Sequence, residues 1–186
     1  MSEEPAVEYK RIFLALWPDE STRQQLFEAQ KKLKHDHELR PALKTVRAVI
    51  PDNLHITLHF IGSVSTEVVQ ALEALLDSVQ CSPFDMTVNT VGCFPRARVL
   101  WLGVKDMPPE LKELEQQTAA CVQQCVENYQ RIPFRAHITL FRKVKAAVKQ
   151  AEFPEIDWPV KSFALIESKT YPEGVQYSVL KEWPLT

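Results

Sequence analysis

The stretch HITLHF, residues 55–60, returns 82 positions later as HITLFR, residues 137–142. The chain has five histidines, and a four-residue run shared by any two of them arises by chance in about 0.2% of chains of ordinary composition. Chance is a poor account, so the chain holds either a diverged duplication or two places that need the same short chemistry. In a strand, successive side chains point to opposite faces, so His55 and Thr57 share one face while Ile56, Leu58 and Phe60 take the other. His137 and Thr139 do likewise, with Ile138 and Leu140 behind them. Each copy therefore presents an imidazole beside a hydroxyl, backed by an apolar row that ties the strand to a core.

One H-x-T in a strand is most often a satisfied polar pair. Two copies brought together about a pseudo-axis would place two imidazoles and two hydroxyls in one site. Histidines poised near neutral pH can serve as base and acid in a single displacement at phosphorus. The hydroxyls can donate hydrogen bonds to the non-bridging oxygens, where charge gathers in the transition state.

Working outward from the motifs, RIFLALW (11–17) reads as a buried strand bounded by Pro18, and the segment from Asp19 to about Leu39 as a helix with Leu26, Ala29 and Leu33 inward. TVRAVI (45–50) reads as a strand ending at Pro51, and a helix starts near Ser65 or Thr66. FDMTVNTVGCF and RVLWLGV suit a hairpin, Pro108 and Pro109 open a long helix, and VKSFALIESKTY and VQYSVLKEW close the chain as strands around Gly174. Strands and helices mixed throughout predict an α+β fold. Halves of similar length and content predict that residues 1–186 form one bilobal domain with approximate two-fold symmetry.

At 186 residues with 45% hydrophobic content the chain can bury a substantial core. A formal net charge of −2 excludes the strong positive field of a protein that coats long nucleic acid, but leaves room for a local site for a small anion or a nucleic-acid end. The acidic start MSEEPAVEYK has no apolar signal region, and no apolar run is long enough to span a bilayer, so a cytoplasmic protein without membrane contact is expected. Cys81, Cys93, Cys121 and Cys125 are too scattered for a disulfide framework. The glycines, Gly62, Gly92, Gly103 and Gly174, form neither a phosphate-cradling loop nor a dinucleotide fingerprint, so side chains must do the anion binding.

HITL twice, about eighty residues apart and followed the second time by Arg142, resembles the two-histidine (2H) phosphoesterase superfamily. RIFLAL, PDNLHITLHFIG, RVLWLGV, PFRAHITLFR and YSVLKEW, in that order along nearly the whole chain, favour its LigT-like branch, the RNA 2′,3′-cyclic phosphodiesterases once called 2′-5′ RNA ligases. The resemblance implies two pseudo-symmetric antiparallel sheets facing a central groove, with helices on the outside. It implies hydrolysis of an RNA terminal 2′,3′-cyclic phosphate to a 2′-phosphate without cofactor or metal, with weak 2′-5′ joining as the reverse. On that resemblance one of His55 and His137 would activate water and the other protonate the leaving oxygen, with His137 favoured as base and His55 as acid. Thr57, Thr139 and Arg142 would hold the phosphate and Phe13 would border the terminal base. The implied partners are oligoribonucleotide ends with a cyclic phosphate, or nucleotides, acting on a monomer.

Alternation puts Arg142 on the Ile138 face, so it reaches the groove only if the strand ends, bends or bulges after Leu140. The same alternation puts His59 beside His55 and Thr57. Arg96, Arg98, Arg131, Arg135, Lys143 and Lys145 are candidates to guide an RNA end, and Trp101, Tyr171 and Tyr177 further candidates to stack on a base. A metal site on His55, His59 and His137 is disfavoured, because His55 and His59 lie ~13 Å apart on an extended strand. A non-catalytic module that binds phosphorylated RNA ends is the other reading; two intact H-x-T copies speak for catalysis.

Overall fold

A computed structural model of the chain describes residues 8–146 and 148–186. Residues 1–7, the larger part of the acidic start, lie outside it. The strands are β1 (Tyr9–Leu16), β2 (Arg47–Ala48), β3 (Ile56–Ser65), β4 (Phe84–Phe94), β5 (Val99–Gly103), β6 (His137–Arg142), β7 (Ala151–Val160), β8 (Ser162–Tyr171) and β9 (Gly174–Pro184), and the α-helices are α1 (Glu20–His35), α2 (Thr66–Leu76) and α3 (Pro109–Cys125). The strands follow the order β7-β4-β5-β6-β3-β1-β8-β9, with β2 added to β6. Every pairing is antiparallel. The two expected sheets are thus two four-stranded halves of one sheet, joined where β3 meets β6 at the single pair Ile56–Ile138. Within each half a strand, a helix and a neighbouring antiparallel strand recur, as β1-α1-β3 and β5-α3-β6.

The register carries a feature that alternation alone does not reveal. On β6, Leu100 pairs with Phe141 but Trp101 pairs with Thr139, so Leu140 has no partner on β5. On β3, Leu14 pairs with His59 but Ala15 pairs with Thr57, so Leu58 has none on β1. Both copies of the motif bulge at the leucine of HITL. An extra residue turns the strand by one position, so Leu58 and His59 both point to the core, as do Leu140 and Phe141, and the groove face resumes at Phe60 and Arg142. Leu140 is fully buried and Leu58 nearly so, and each side chain stabilises the strand by roughly 1.5–3 kcal/mol.

The helices cover the face behind the motifs. Asp19 caps α1 by accepting from Thr22 N at 2.8 Å, and Leu26, Ala29 and Leu33 turn inward. Ser65 caps α2, which buries Val69, Leu72 and Leu76. Pro109 occupies the first turn of α3, where its missing N–H costs nothing, and Leu111, Leu114, Thr118, Cys121 and Val122 face the core. Each long helix reaches the opposite half. From α1, the buried Gln30 donates to Leu140 O and Val49 O, both at 2.9 Å. From β3, His59 contacts Glu115 O at 3.0 Å and Thr118 Oγ1 at 2.9 Å on α3.

Three expectations need adjustment. β7 was not anticipated; Pro154 and Pro159 and a run of charges disguise it, and it tolerates them because it lies at the sheet edge, where missing N–H donors cost little. The strand expected over 45–50 shortens to Arg47–Ala48, and α1 ends at His35, where Asp36 turns extended and its side chain accepts from Glu38 N and Leu39 N. Among the described residues, no helix is long and apolar enough to cross a membrane.

Gln30→Met keeps the volume and removes the donor, leaving the buried Leu140 O and the part-buried Val49 O without their side-chain partner. A loss of about 1–3 kcal/mol is expected, read as a lower urea midpoint with an unchanged slope.

Candidate active site

With Ile56 and Ile138 paired, the antiparallel register sets His55 across from Thr139 and Thr57 across from His137. All four side chains line one groove of about 440 Å³. The imidazoles occupy one diagonal of this square and the hydroxyls the other; diagonal neighbours on paired strands lie about 7–8 Å apart, which leaves room for one phosphate between them. The expected convergence of the two motifs is therefore met by direct strand pairing rather than by two separate sheets facing each other.

Each imidazole is oriented in the same way. His55 Nδ1–H donates to Asn53 O at 2.7 Å, and His137 Nδ1–H donates to Arg135 O at 2.8 Å, in both cases to a carbonyl two residues earlier. A carbonyl only accepts, so each Nδ1 carries the hydrogen and each neutral ring keeps a bare Nε2. The Thr57 hydroxyl donates to His55 Nε2 at 3.0 Å.

The two rings differ in what surrounds them. His55 sits among aromatic rings: Phe13 at 5.0 Å, Trp17 stacked at 5.4 Å and Tyr177 edge-on at 5.4 Å between centroids. Desolvation by these neighbours, with lesser contributions from His137 and Arg142, pushes its pKa down to about 4 against the carbonyl bond that favours the charged form. His137 has Phe94 edge-on at 5.0 Å and Trp101 at 6.5 Å. Burial again lowers its pKa, assisted by Arg142 and Arg135. Both imidazoles are therefore neutral at pH 7.

The bulge at Leu140 supplies the bend that Arg142 needed, and its side chain lines the groove with His137 and Thr139. Arg142 pairs with Arg47 on β2, and Arg47 and Arg11 also line the groove. Among the described residues none of these three arginines forms a salt bridge, so their guanidiniums are available to an anion. Sequence reasoning passed over Arg11 and Arg47 because nothing marks them beside a motif. The hairpin of β8 and β9 closes over this side: Asn53 Nδ2 donates to Val175 O at 3.1 Å, and Gly174 has φ 149° with Arg47 Nη2 only 2.7 Å from where a Cβ would stand. The conformation favours glycine there, while the Arg47 tip, at the end of a flexible side chain, can give way.

His59 does not join His55. The bulge at Leu58 turns it into the core, 3% exposed, where Nε2–H donates towards Glu115 O and Thr118 Oγ1 and Nδ1 accepts from Tyr129 at 2.9 Å. Its role is structural. Phe13 lines the groove, yet it is only 3% exposed and serves as a wall beneath His55 and Tyr177. Of the other aromatic candidates, Tyr177 is half-buried in the groove wall, Trp101 is buried over Gly92 and Gly103, and Tyr171 is exposed but is not among the residues lining the groove. Arg131 is committed to the buried Glu115, and Arg98 to the carbonyl of Val144.

Comparison with known proteins agrees with this geometry. Residues 16–101 match the family described as LigT like Phosphoesterase. The chain is 35% identical over 144 residues to the RNA 2′,3′-cyclic phosphodiesterase of Escherichia coli (strain K12), spanning 75% of this chain and 80% of that protein. It is 30% identical over 189 residues to the RNA 2′,3′-cyclic phosphodiesterase of Archaeoglobus fulgidus, spanning 92% and 98%. A crystal structure of E. coli LigT complexed with 3′-AMP superposes with a TM-score of 0.85 at 31% identity, covering 96% of this chain and 99% of that one.

The depressed imidazoles tie stability to pH. Between the ordinary value of 6.5 and about 4, the unfolded chain protonates this histidine while folded His55 stays neutral, so stability falls as the pH drops through that window. His55→Gln removes this part of the slope, and urea unfolding across the window should show a flatter profile for the variant. In the wild type, NMR should report His55 titrating near the lower end with its hydrogen on Nδ1.

Proposed function

The chain belongs to the LigT-like phosphoesterase family, and from that premise we propose that it hydrolyses the terminal 2′,3′-cyclic phosphate of RNA, with His55 and His137 as a paired acid and base. The observation that carries this reading is the square of two imidazoles and two hydroxyls across the Ile56–Ile138 pair.

In the reaction, His137 Nε2 takes a proton from water as the oxygen attacks phosphorus. The P–O3′ bond breaks, and His55 Nε2–H delivers a proton to the departing 3′ oxygen. The product is a 2′-phosphomonoester with a free 3′-hydroxyl. Thr57, Thr139 and Arg142 donate to the non-bridging oxygens, and the fixed donor fork of the guanidinium suits two of them at once. The assignment of acid and base rests on the surroundings. Phe13 and Tyr177 make the His55 side the apolar wall that accepts a nucleoside, which puts the ribose and its 3′ oxygen beside His55 and leaves His137 for water. An acid with so low a resting pKa needs help; a phosphodiester anion between the rings supplies it by favouring the protonated imidazole.

Both motifs and the whole groove come from one chain, in keeping with action as a monomer. Four free cysteines suit the reducing cytoplasm. Weak 2′-5′ joining is expected where a 5′-hydroxyl replaces water at the same phosphorus.

His55→Ala or His137→Ala should each lower kcat on an oligoribonucleotide 2′,3′-cyclic phosphate by about 10²–10⁴-fold, with EDTA leaving the wild type unaffected. The pH profile of kcat/KM should be bell-shaped with both limbs on the acid side of 6.5, since both free-enzyme pKa values are lowered. A substrate with sulfur in place of the 3′ oxygen needs little protonation on leaving, so it should restore His55→Ala and not His137→Ala. Restoration of His137→Ala alone would reverse the roles, and a 3′-phosphate product would overturn the bond assignment.

A further inference from the structure

The duplication breaks its symmetry at one informative place. Beyond each bulge the first residue to face the groove again is Arg142 in the second copy and Phe60 in the first. An arginine there serves a phosphate; a phenylalanine cannot. Phe60 is 51% exposed although it lines the same groove as both motifs. The guanidinium carbon of Arg11 lies 5.1 Å from its ring centroid. The pair thus joins an apolar ring to a cation of the kind that stacks on single-stranded bases and tracks their backbone. Phe60 stands three residues along β3 from Thr57, at most about 10 Å away, and directly across from Phe13 on β1, so its exposed ring lies next to the Phe13–Tyr177 wall.

On the reading of the site as an RNA cyclic phosphodiesterase, we infer that Phe60 and Arg11 form a subsite for the penultimate nucleotide, whose base stacks on Phe60 while Arg11 contacts the phosphate linking it to the terminal residue. The chain would then select RNA ends over cyclic mononucleotides. Terminal-nucleoside contacts cannot create that preference, because both substrates share them. The subsite takes any base, since a ring face offers no hydrogen-bond code.

The test compares kcat/KM for adenosine 2′,3′-cyclic phosphate with that for the dinucleotide ApA ending in the same group. The dinucleotide should be favoured by about ten-fold or more, the usual effect of one base–aromatic stack. Phe60→Ala should bring the ratio towards one, and Phe60→Tyr should retain it. Arg11→Gln should lower the ratio and weaken its dependence on salt. A dinucleotide with an abasic penultimate residue should lose the advantage in the wild type and be indifferent to Phe60→Ala. A wild-type ratio near one with normal mononucleotide turnover overturns this inference alone, as does an unchanged ratio in Phe60→Ala. Failure to turn over either substrate overturns the phosphodiesterase reading and the subsite with it.

Discussion

Among the described residues, Ile56 and Ile138 are the one paired position between the two halves of the sheet, and both side chains are fully buried. Their contact fixes where the four polar residues stand, because a strand that cannot slide behind cannot slide in front. A shift of one residue on either strand would send an imidazole into the core and an isoleucine into the groove. The apolar cost of that exchange, roughly 1.5–3 kcal/mol for each isoleucine, is what holds the register. Extended pairing is not needed, and the bulges directly after the motif prevent it: β3 and β6 part at Leu58 and Leu140, each half turns away, and a groove opens at the seam.

The H-x-T face was legible because it depends only on the two-residue period of a strand, and HITL keeps that period up to its leucine. The positions beyond that leucine were not legible. A buried leucine suits either side of a bulge, so nothing in the letters marks the turn, and simple alternation then misplaced every later residue. Alternation puts His59 beside His55 and Thr57 without fixing whether it reaches the groove, and it lies in the core; alternation puts Arg142 on the core side unless the strand bends, and it bends. The edge strand β7 was hidden for a different reason. Its prolines and charges are signals of loop, and only its place at the sheet edge, paired with β4 alone, makes them tolerable. Arg11 and Arg47 escaped notice because their part in the groove depends on how β1, β2 and the closing hairpin assemble, which no local pattern encodes.

The fully buried face of the motif explains how a small protein keeps two desolvated imidazoles in place. Leu58, His59, Leu140 and Phe141 anchor the strands from behind, and the helix that meets each bulge comes from the other half. Gln30 on α1 holds the carbonyl of Leu140, while α3 holds His59. Neither half is therefore complete alone: each motif strand is braced by an element that belongs to the other repeat. Such mutual bracing keeps the two imidazoles in one geometry even though their strands share a single pair.

The electrostatics of the groove then bear on catalysis. Desolvation and neighbouring guanidiniums disfavour a proton on either imidazole, so at rest the positive charge of the groove comes from Arg11, Arg47 and Arg142, with Glu173 the one carboxylate among the residues lining it. A phosphodiester contributes one negative charge, and the transition state concentrates more charge on its non-bridging oxygens. The same donors therefore bind the transition state more strongly than the ground state, which is the condition for accelerating the chemical step rather than merely holding substrate. That anion also favours the imidazolium that the leaving oxygen requires. On the proposed roles, the acid would form on His55 where and when the substrate is present, and the resting site would keep His137 neutral as the base. A site with ordinary, solvated histidines would hold a proton at mildly acid pH whether or not RNA were bound, and its acid and base would not be set apart by their surroundings.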